Sequence, residues 1–394
     1  MTTEEDARSV VLAKVKPLRN EKVKLLDSLG RFAGQEIFAS RLLPAFDNSA
    51  MDGYAVQAQS CGEGAILRVI GEQPAGADRR LTIKAGEAIR IFTGAPLPKG
   101  ANAVIMQEDV RREGDTIVAQ CAAEPGEFIR RAGCDLVVGQ KILARGERVT
   151  PQLLALIASQ GMEKVEVGAR PRVAIVSTGD ELARPGAIPE PGQIFESNSI
   201  MLHALTLRAG AEVAFVEHCP DELETMTNLF RRGLTNDALI VSGGVSVGEH
   251  DLVKPALRAL GAELDLWRVA IKPGKPFLFA RAEESLVFGL PGNPVSAFVT
   301  FLKLVRPALL KWSGAADHLL DLPRISARLT SELVNEDRRP HYLRGRLEDG
   351  AFTPTGRQES HALYGLSRAN ALLRVDAGRK FSAGENVLVE TLEL

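Results

Sequence analysis

The chain has 394 residues, of which 45% are hydrophobic and 25% charged, so it is long enough to bury more than one core. Its 48 basic and 50 acidic side chains give a formal net charge of -2, which excludes a global electrostatic attraction for nucleic acid or anionic lipid. The four cysteines form neither a paired zinc motif nor a disulfide framework, and no apolar run reaches about 18 residues. The N-terminal residues also lack the order of a signal peptide. We therefore expect a cytoplasmic protein of several domains that binds neither nucleic acid nor a membrane.

The N-terminal part of the chain has helical spacing of apolar side chains. This spacing extends over residues 5–40 and predicts two helices. From about residue 66 to 130, short runs rich in β-branched residues are separated by Gly, Pro and Asp, which predicts a small all-β unit. Helix returns at Thr150 and Pro151, which have the pattern of an N-cap and a first helical position.

If the helix after Thr150 packs on the N-terminal helices, the β unit interrupts one helical domain. We then expect a discontinuous helical domain made of residues 1–42 and 136–170. An inserted small β domain would cover residues 43–135.

From Pro171 onward, runs of Val, Ile and Leu alternate with amphipathic segments. The predicted strands are RVAIVS, AEVAFVEH, ALIVS, WRVAI, FLFA and LVFGL, and a helix follows over 295–311. This alternation indicates a doubly wound, mostly parallel sheet over residues 171–316. Short strands after Trp312 predict a C-terminal β domain over 317–394. The fold class is therefore multidomain α/β.

The loops that leave the C-terminal ends of parallel strands converge on one crevice of a doubly wound sheet. Four of the loops predicted there are rich in Gly, Pro and charged residues. They cover residues 178–181, 242–251, 272–276 and 291–296. We expect the function of the chain to lie at this crevice.

The second of these loops begins with Ser242, Gly243 and Gly244. The glycine pair could simply make a turn, or its backbone N–H groups and the following helix could bind an anion such as phosphate. No Gly-Lys-Ser/Thr closes the loop, and the chain has no GxGxxG motif, so a P-loop nucleotide hydrolase is not expected.

The other loops also allow two interpretations. Lys272 and Lys275 could be solvated, or the prolines beside them could hold both ammonium groups against a phosphate. Loop acids such as Glu181 and Asp251 could cap helices, or they could bind Mg²⁺ together with substrate phosphates. The helix that begins after Asn293 suits a phosphate or a ring edge at its N-terminus. Candidate binding residues in these loops are Ser242, Gly243, Gly244, Ser246, Lys275, Pro291, Gly292, Asn293, Pro294 and Ser296.

Taken in order, the motifs GDEL, SGGVSVGEHD, KPGKP and PGNPVSA resemble the molybdopterin-binding domain. The segments PAFDNSAMDGYAV at 44–56 and TGAPLPKGANAV at 93–104 resemble one branch only, the MoeA-type molybdopterin molybdenumtransferases, which are related to the C-terminal part of gephyrin. YLRGRL at 342–347 and QESHALYGLSRAN at 358–370 agree with the same branch, so the resemblance covers nearly the whole chain.

The resemblance implies an elongated homodimer of four-domain subunits that takes up adenylylated molybdopterin and molybdate. A Mg²⁺-dependent reaction then gives molybdenum cofactor and AMP. It implies that the active site lies between the molybdopterin-binding domain of one protomer and the inserted domain of the other. The adenylyltransferase that makes the substrate and the enzymes that accept the cofactor are further expected partners.

The motifs also carry the family's functional positions onto this chain. Asp52 of MDGYA and Thr93 of TGAP are expected in the cleft as residues of the second protomer. Further functional positions implied by the resemblance are Asp135, Glu181, Asp221, Asp251, Lys272, Arg344 and Ser360. The expected catalytic set is Asp52, Thr93, Glu181, Asp251 and Lys272, and the others are expected to bind substrate.

Cleavage of a pyrophosphate requires neutralisation of charge on its oxygens. Mg²⁺ held by Glu181 and Asp251, together with Lys272, could supply it without a covalent protein nucleophile. Molybdate is itself an oxyanion, so backbone N–H groups and cations such as Arg344 could hold it.

Three residues depart from the family's usual pattern or vary within it. Arg268 stands where Lys is frequent, Cys134 replaces an acid before Asp135, and His250 lies beside Asp251. We interpret Cys134 as packing and His250 as a solvated loop residue, and the role of Arg268 stays open.

Three other functions compete with this one. A molybdopterin adenylyltransferase shares the molybdopterin-binding domain but usually lacks the DNSAMDGYA segment and the terminal β domain. A gephyrin-like scaffold without catalysis would not need Asp52, Glu181, Asp251 and Lys272. No feature of the sequence supports an unrelated nucleotide-binding regulator.

Overall fold

The computed structural model describes residues 1–245 and 251–392, which fold into two compact units. Unit 1 consists of Met1–Gln35, Arg145–Thr150 and Lys164–Leu394, and unit 2 of Glu36–Ala144 and Pro151–Glu163. No described helix is long and apolar enough to cross a bilayer.

Unit 1 contains a six-stranded sheet. In spatial order its strands are Glu212–Cys219, Arg172–Thr178, Ala238–Ser242, Ser285–Leu290, Leu278–Ala282 and Glu263–Trp267. The first four strands are parallel, and the last two join antiparallel. The predicted doubly wound, mostly parallel sheet is confirmed.

One predicted strand of this sheet was misplaced. WRVAI was expected to be a strand, but the strand ends at Trp267. The next residue, Arg268, has a φ of 97°. Because that backbone conformation is outside the β region, the chain leaves the sheet at this point.

Both faces of the central strands are buried. Ile175 and Ile240 belong to one hydrophobic cluster, whereas their neighbours Val176 and Val241 belong to another. Successive side chains of a strand point to opposite faces, so runs of apolar residues require a layer of helices on each side. These helices cover Asn198–Arg208, Leu223–Gly233, Val253–Ala259, Pro294–Thr300 and Arg306–Trp312. A π-helical turn, Phe301–Val305, joins the last two.

The N-terminal segment of unit 1 contains one helix where two were predicted. Helix Glu4–Lys14 is capped by Thr3, whose Oγ1 accepts from the N–H of Asp6. The second predicted helix is wrong, because Asn20–Lys24 is a strand that pairs antiparallel with Lys164–Gly168. Pro17 cannot continue a helix, and the partner strand is too distant in sequence for local periodicity to reveal it.

A closed five-stranded β-barrel ends unit 1. Its strands are Arg324–Leu329, His341–Glu348, Ala351–Pro354, Ala371–Val375 and Asn386–Thr391. Phe352, Leu373 and Val389 are fully or almost fully buried in its core. The short strands predicted after Trp312 are confirmed by this barrel.

A buried ionic network connects the barrel to the rest of unit 1. The Nζ of Lys303, in the π-helical turn, lies 2.8 Å from Oε1 of Glu390 and 3.7 Å from Oε1 of Glu4. The hydroxyl of Tyr342 donates to the Glu4 carboxylate at 2.7 Å, and the Lys303 ammonium lies 5.0 Å from the Tyr342 ring centroid. Burial raises the pKa of Glu4, although Lys303 and Tyr342 oppose that shift. Helix, π-helical turn and barrel thus share one set of buried charges.

Unit 2 is built around a second six-stranded sheet. In spatial order its strands are Ala103–Met106, Gly53–Val56, Glu87–Ile91, Ile66–Gln73, Thr116–Ala119 and Val110–Glu113. Tyr54, Leu67, Ile105 and Ile117 form part of its core. Two short ladders, Ile37–Phe38 with Lys141–Leu143 and Asn48–Ser49 with Ile129–Arg130, and the helix Pro151–Ser159 complete the unit. The four predicted domain ranges stay predictions.

The buried network gives a test of stability. Glu390→Gln leaves the Lys303 ammonium without its nearest counter-charge. We expect the free energy of unfolding of unit 1 to fall by about 3 kcal/mol or more. Calorimetric unfolding should show a clearly lower Tm. The control is Glu348→Gln, because Glu348 pairs with Arg346 at the surface and such pairs contribute about 0 to 1 kcal/mol. Equal Tm values for the two variants would contradict a stabilising role of the buried pair.

Candidate active site

Four strands of unit 1 end at the rim of one cleft. Because Glu212–Cys219, Arg172–Thr178, Ala238–Ser242 and Ser285–Leu290 are parallel, the loops after them leave the sheet at the same edge. These loops line a cleft of about 650 Å³ together with residues of the C-terminal part. The predicted site residues among the lining are Glu181, Asp221, Ser242, Gly243, Gly244, Pro291, Gly292, Asn293, Pro294 and Ser296. Ten predicted positions from four segments of the chain are thus brought together.

The glycine pair after Ser242 satisfies a steric demand. Gly243 and Gly244 have φ values of 97° and 63°, in the region that favours glycine. A Cβ on Gly243 would lie 2.7 Å from the carbonyl oxygen of Thr178, and one on Gly244 would lie 2.6 Å from Cγ2 of Val253. The turn alone therefore explains both glycines, and it also leaves the cleft wall free of side chains at this point.

Asn198 connects two of the cleft loops, and sequence reasoning missed it. Its Nδ2 donates to Oγ of Ser242 at 3.0 Å and to the carbonyl oxygen of Gly292 at 2.6 Å. It lies at the start of helix Asn198–Arg208, where Asn is a common residue type, so no sequence signal points to this role. The loops after two different strands are thus held by one buried amide.

Acidic side chains form one lip of the cleft. Asp221 donates its backbone N–H to Oδ1 of Asp180 at 3.0 Å, and Glu181 lies in the same loop as Asp180. Burial raises the pKa of Asp221, and the charges of Asp180 and Glu181 raise it further. The ionised form of Asp221 is therefore disfavoured by its acidic neighbours, which is a condition that a bound cation relieves.

Asp251 differs from the acids of the lip. Its carboxylate is buried, and Oδ2 lies 3.2 Å from Nζ of Lys254. Burial raises the pKa of Asp251, while the Lys254 ammonium and the backbone N–H groups at the start of helix Val253–Ala259 oppose the shift. In this conformation Asp251 lies just before that helix and is neutralised by a neighbouring lysine, but neither carboxylate oxygen makes a hydrogen bond of normal geometry within the described residues. It is not among the described residues that line the cleft.

The Lys272 loop is tied to the C-terminal part of unit 1. Nζ of Lys272 lies 3.4 Å from Oδ2 of Asp337, and its backbone N–H donates to the carbonyl oxygen of Pro340. A hydrogen bond from Arg339, assisted by the charges of Arg339 and Lys272, holds the pKa of Asp337 well below its usual range. Lys275 is exposed, and Pro276 lines the cleft. Of the two predicted cations, Lys272 already has an acidic partner.

Burial lowers the pKa of the neighbouring His341 to about 4, and the positive charge of Lys272 contributes to that shift. The imidazole is therefore neutral at physiological pH. It does not add to the positive charge beside Lys272.

The C-terminal part supplies another wall of the cleft. The carbonyl oxygen of Ser360 accepts the N–H of Val295 at the start of helix Pro294–Thr300, and His361 and Leu363 line the cleft. Arg344 is fully buried, and its guanidinium donates to the carbonyl oxygens of Arg357 and Glu359. The prediction that Arg344 binds substrate stays a prediction. In this arrangement its guanidinium holds the backbone that precedes Ser360.

Asp52 and Thr93 are brought together within unit 2. Oδ1 of Asp52 accepts from the backbone N–H of Thr93 at 2.7 Å and from its hydroxyl at 2.8 Å. These hydrogen bonds lower the pKa of the exposed Asp52 carboxyl. Asp135 is also exposed in unit 2, and its N–H donates to the carbonyl oxygen of Leu43. Cys134, which was interpreted from the sequence as a packed residue, is a free and exposed thiol.

Two residues named from the sequence, Ser246 and His250, lie outside the described residues. Within residues 1–245 and 251–392, no group of three or more His, Cys, Asp or Glu side chains is arranged to hold a metal ion. A cation at the acidic lip would therefore need ligands from a substrate, as is usual for Mg²⁺ bound with phosphates.

Three regions of the chain match known protein families. Residues 2–161 match the MoeA N-terminal region (domain I and II), residues 174–311 a probable molybdopterin binding domain, and residues 326–392 the MoeA C-terminal region (domain IV).

Curated relatives and a solved structure match the chain over nearly its whole length. A molybdopterin molybdenumtransferase of Haemophilus influenzae is 36% identical over 99% of this chain and 98% of its own length. A molybdopterin molybdenumtransferase 2 of Mycobacterium tuberculosis is 37% identical over 95% of both chains. The crystal structure of a molybdopterin biosynthesis MoeA protein from Pyrococcus horikoshii is 30% identical, has a TM-score of 0.84, and covers 99% of this chain and 100% of its own.

The connection made by Asn198 can be tested directly. Asn198→Ala removes two hydrogen bonds and leaves the buried Ser242 hydroxyl without its donor, which should lower the free energy of unfolding by about 1 to 3 kcal/mol. We expect a lower Tm of unit 1 in calorimetry. Asn228→Ala is the matched control, because Asn228 is exposed on a helix and accepts only from the nearby Arg231 among the described contacts. Indistinguishable Tm values would show that Asn198 does not hold the loops.

Proposed function

This chain belongs to the MoeA family of molybdopterin molybdenumtransferases, and we propose that it inserts molybdenum into adenylylated molybdopterin, with release of AMP. One observation carries the proposal. The turn at Ser242, the Pro291–Pro294 loop and the acidic lip with Glu181 and Asp221 all face one cleft. An open, polar cleft of this composition suits a ligand that carries a pterin ring at one end and a phosphate chain at the other.

The reaction has a simple balance of atoms and charge. The bond between the two phosphates breaks, the AMP phosphate gains an oxygen from molybdate, and the two dithiolene sulfurs bind the molybdenum as they release their protons. The chain's own residues position the reactants and stabilise charge. Lys275 and Lys272 lie in a loop beside the cleft wall at Pro276, where they can contact phosphate or molybdate oxygens. No protein nucleophile is required.

The acidic lip fits a divalent cation. The charges of Asp180 and Glu181 add to the burial that disfavours ionisation of Asp221, and a cation would relieve that repulsion. Mg²⁺, when bound, would supply charge neutralisation on the phosphate oxygens. Glu181 and Asp221 support this role directly as cleft residues. Asp251, the second ligand predicted from the sequence, would first have to leave Lys254.

The proposal includes a homodimer whose site is shared between subunits. Several large apolar side chains around the cleft are exposed, and a monomer gains nothing from exposing them together. They are Ile194, Phe195, Ile200, Leu363 and Tyr364, of which Tyr364 is 80% exposed. The Asp52–Thr93 pair would enter the cleft from the partner subunit. We place this dimer in the cytoplasm, between the adenylyltransferase that supplies its substrate and the enzymes that receive the cofactor.

The activity is tested by following AMP. With adenylylated molybdopterin, we expect AMP only when both molybdate and Mg²⁺ are present. With molybdopterin and ATP, we expect no adenylylated product, because the described cleft offers fewer cations than a triphosphate usually requires. Adenylylated pterin formed from ATP at a useful rate would replace this proposal with the adenylyltransferase. If neither AMP nor adenylylated pterin is formed although the substrate still binds, the gephyrin-like scaffold would be favoured.

The shared site is tested by subunit mixing. Asp52→Ala and Glu181→Ala each remove one side of the proposed site, so each homodimer should release AMP about 10²-fold or more slowly than wild type. A mixed dimer would own one intact site and should recover part of the rate. The control mixes Glu181→Ala with Asp221→Ala, which both damage the acidic lip of the same unit and should not complement. No recovery despite exchange shown by mass spectrometry would contradict the shared site.

A further inference from the structure

A second pocket of unit 1 is lined by arginine. It has a volume of about 190 Å³, and four guanidinium-bearing side chains contribute to its wall. They are Arg31, Arg148, Arg170 and Arg208. No carboxylate is among the described residues that line it. The described wall of this pocket therefore carries only positive charge, although the net charge of the whole chain is close to zero.

Two of these arginines have lost much of their hydration. The side chain of Arg31 is only 9% exposed, and its Nε has no hydrogen-bond partner among the described residues. Its Nη2 is engaged by Glu21 and by the carbonyl oxygen of Gly168. Arg31 is thus partly neutralised, but one donor is buried and unused.

The positive charge of Arg148 has fewer stabilising contacts than that of Arg31. Its guanidinium lies 5.0 Å from the ring centroid of Phe32, and no ion pair to it occurs within the described part of the chain. Burial lowers the pKa of Arg148. The charge of Arg148 also adds to the burial that lowers the pKa of Arg306 to about 10. Cations that are partly buried and that repel one another are stabilised by an anion.

The remaining two arginines widen the set of available donors. Arg170 is exposed, and Arg208 is exposed with Nη2 donating to the carbonyl oxygen of Leu392. A guanidinium has five N–H donors in a planar fork, so each of these side chains keeps donors for a ligand.

We propose that this pocket binds a small tetrahedral oxyanion of the phosphate class, at a site separate from the cleft. The volume suits such an ion but not a nucleotide or a pterin, because pockets for ligands of that size start at about 300 Å³. The forked donors of Arg148 and Arg170 match the oxygens of a tetrahedral anion. Phosphate, sulfate and molybdate share this chemistry.

The pocket wall is built from three segments of unit 1 that flank the segments of unit 2 in sequence. The first segment precedes Glu36, where unit 2 begins; the second lies between the two segments of unit 2; and the third follows Glu163, where unit 2 ends. Arg31, Arg148 and Arg170 represent these three segments. A bound anion would therefore join three connections within unit 1 and stabilise them together.

The experiment titrates the full-length protein with phosphate, sulfate and molybdate in separate calorimetric arms, at constant ionic strength set with chloride. We expect Arg148→Gln and Arg170→Gln to weaken binding at this site about tenfold or more, since a hydrogen bond to a charged group contributes about 1.5 to 3 kcal/mol. Arg346→Gln is the control, because Arg346 is exposed on the barrel and pairs with Glu348. The three arms show which oxyanion the pocket prefers.

Thermal unfolding supplies a second readout. Phosphate and sulfate stabilise many proteins without binding, so the decisive quantity is the Tm gain of wild type minus that of each variant. If Arg148→Gln does not fold, Arg170→Gln still decides, because Arg170 is exposed. Equal binding and equal Tm gains in wild type and Arg170→Gln would overturn the proposal. AMP release should be unchanged in Arg170→Gln, so failure of this site leaves the proposed activity standing.

Discussion

A buried lysine holds three parts of unit 1 together. Lys303 lies in a π-helical turn between the sheet and the barrel, and its ammonium is surrounded by Glu390, Glu4 and the Tyr342 ring. Burying a charge is unfavourable unless partners surround it, so these partners are fixed by the cost of leaving Lys303 unpaired. The N-terminal helix, the last helix of the α/β domain and the barrel therefore have one mutual arrangement in which all the charges are satisfied.

The position of one cleft wall depends on that arrangement. The barrel strand that carries Tyr342 also carries Arg344, whose guanidinium holds the carbonyl oxygens of Arg357 and Glu359. The backbone just beyond them closes onto the start of helix Pro294–Thr300 through Ser360. A cleft wall is thus positioned by a buried guanidinium and by the buried charges behind it. A substitution of Arg344 would therefore disturb the cleft wall even where the side chain itself binds no substrate.

The parts predictable from sequence were those with local causes. Alternating apolar runs predicted the parallel sheet, because both faces of its strands are buried. Four of the five barrel strands were also predicted, whereas Ala351–Pro354 was missed. Asn20–Lys24 was assigned to a helix, because its partner strand is more than a hundred residues away. The loops of the cleft were found from their composition and from the rule for parallel sheets. Asn198, Asp337 and Lys254 were missed, because a polar side chain that pairs across the fold looks like any solvated residue.

Those missed partners change how the site is understood. Lys272 and Asp251 were expected to face a ligand, yet each is paired inside the protein, with Asp337 and Lys254 respectively. Two partly buried charges without partners would destabilise the ligand-free protein, because both would lose hydration without gaining an ion pair. Internal partners avoid that cost, and under the proposed function a pyrophosphate would replace Asp337 at Lys272, because both groups present anionic oxygens. The acidic lip has no such internal cation among the described ion pairs, so under the proposed function a cation that binds with the substrate would relieve its repulsion. A paired lysine beside the cleft and a cluster of acids at its lip therefore support the proposal of a phosphate chain that binds as its metal complex.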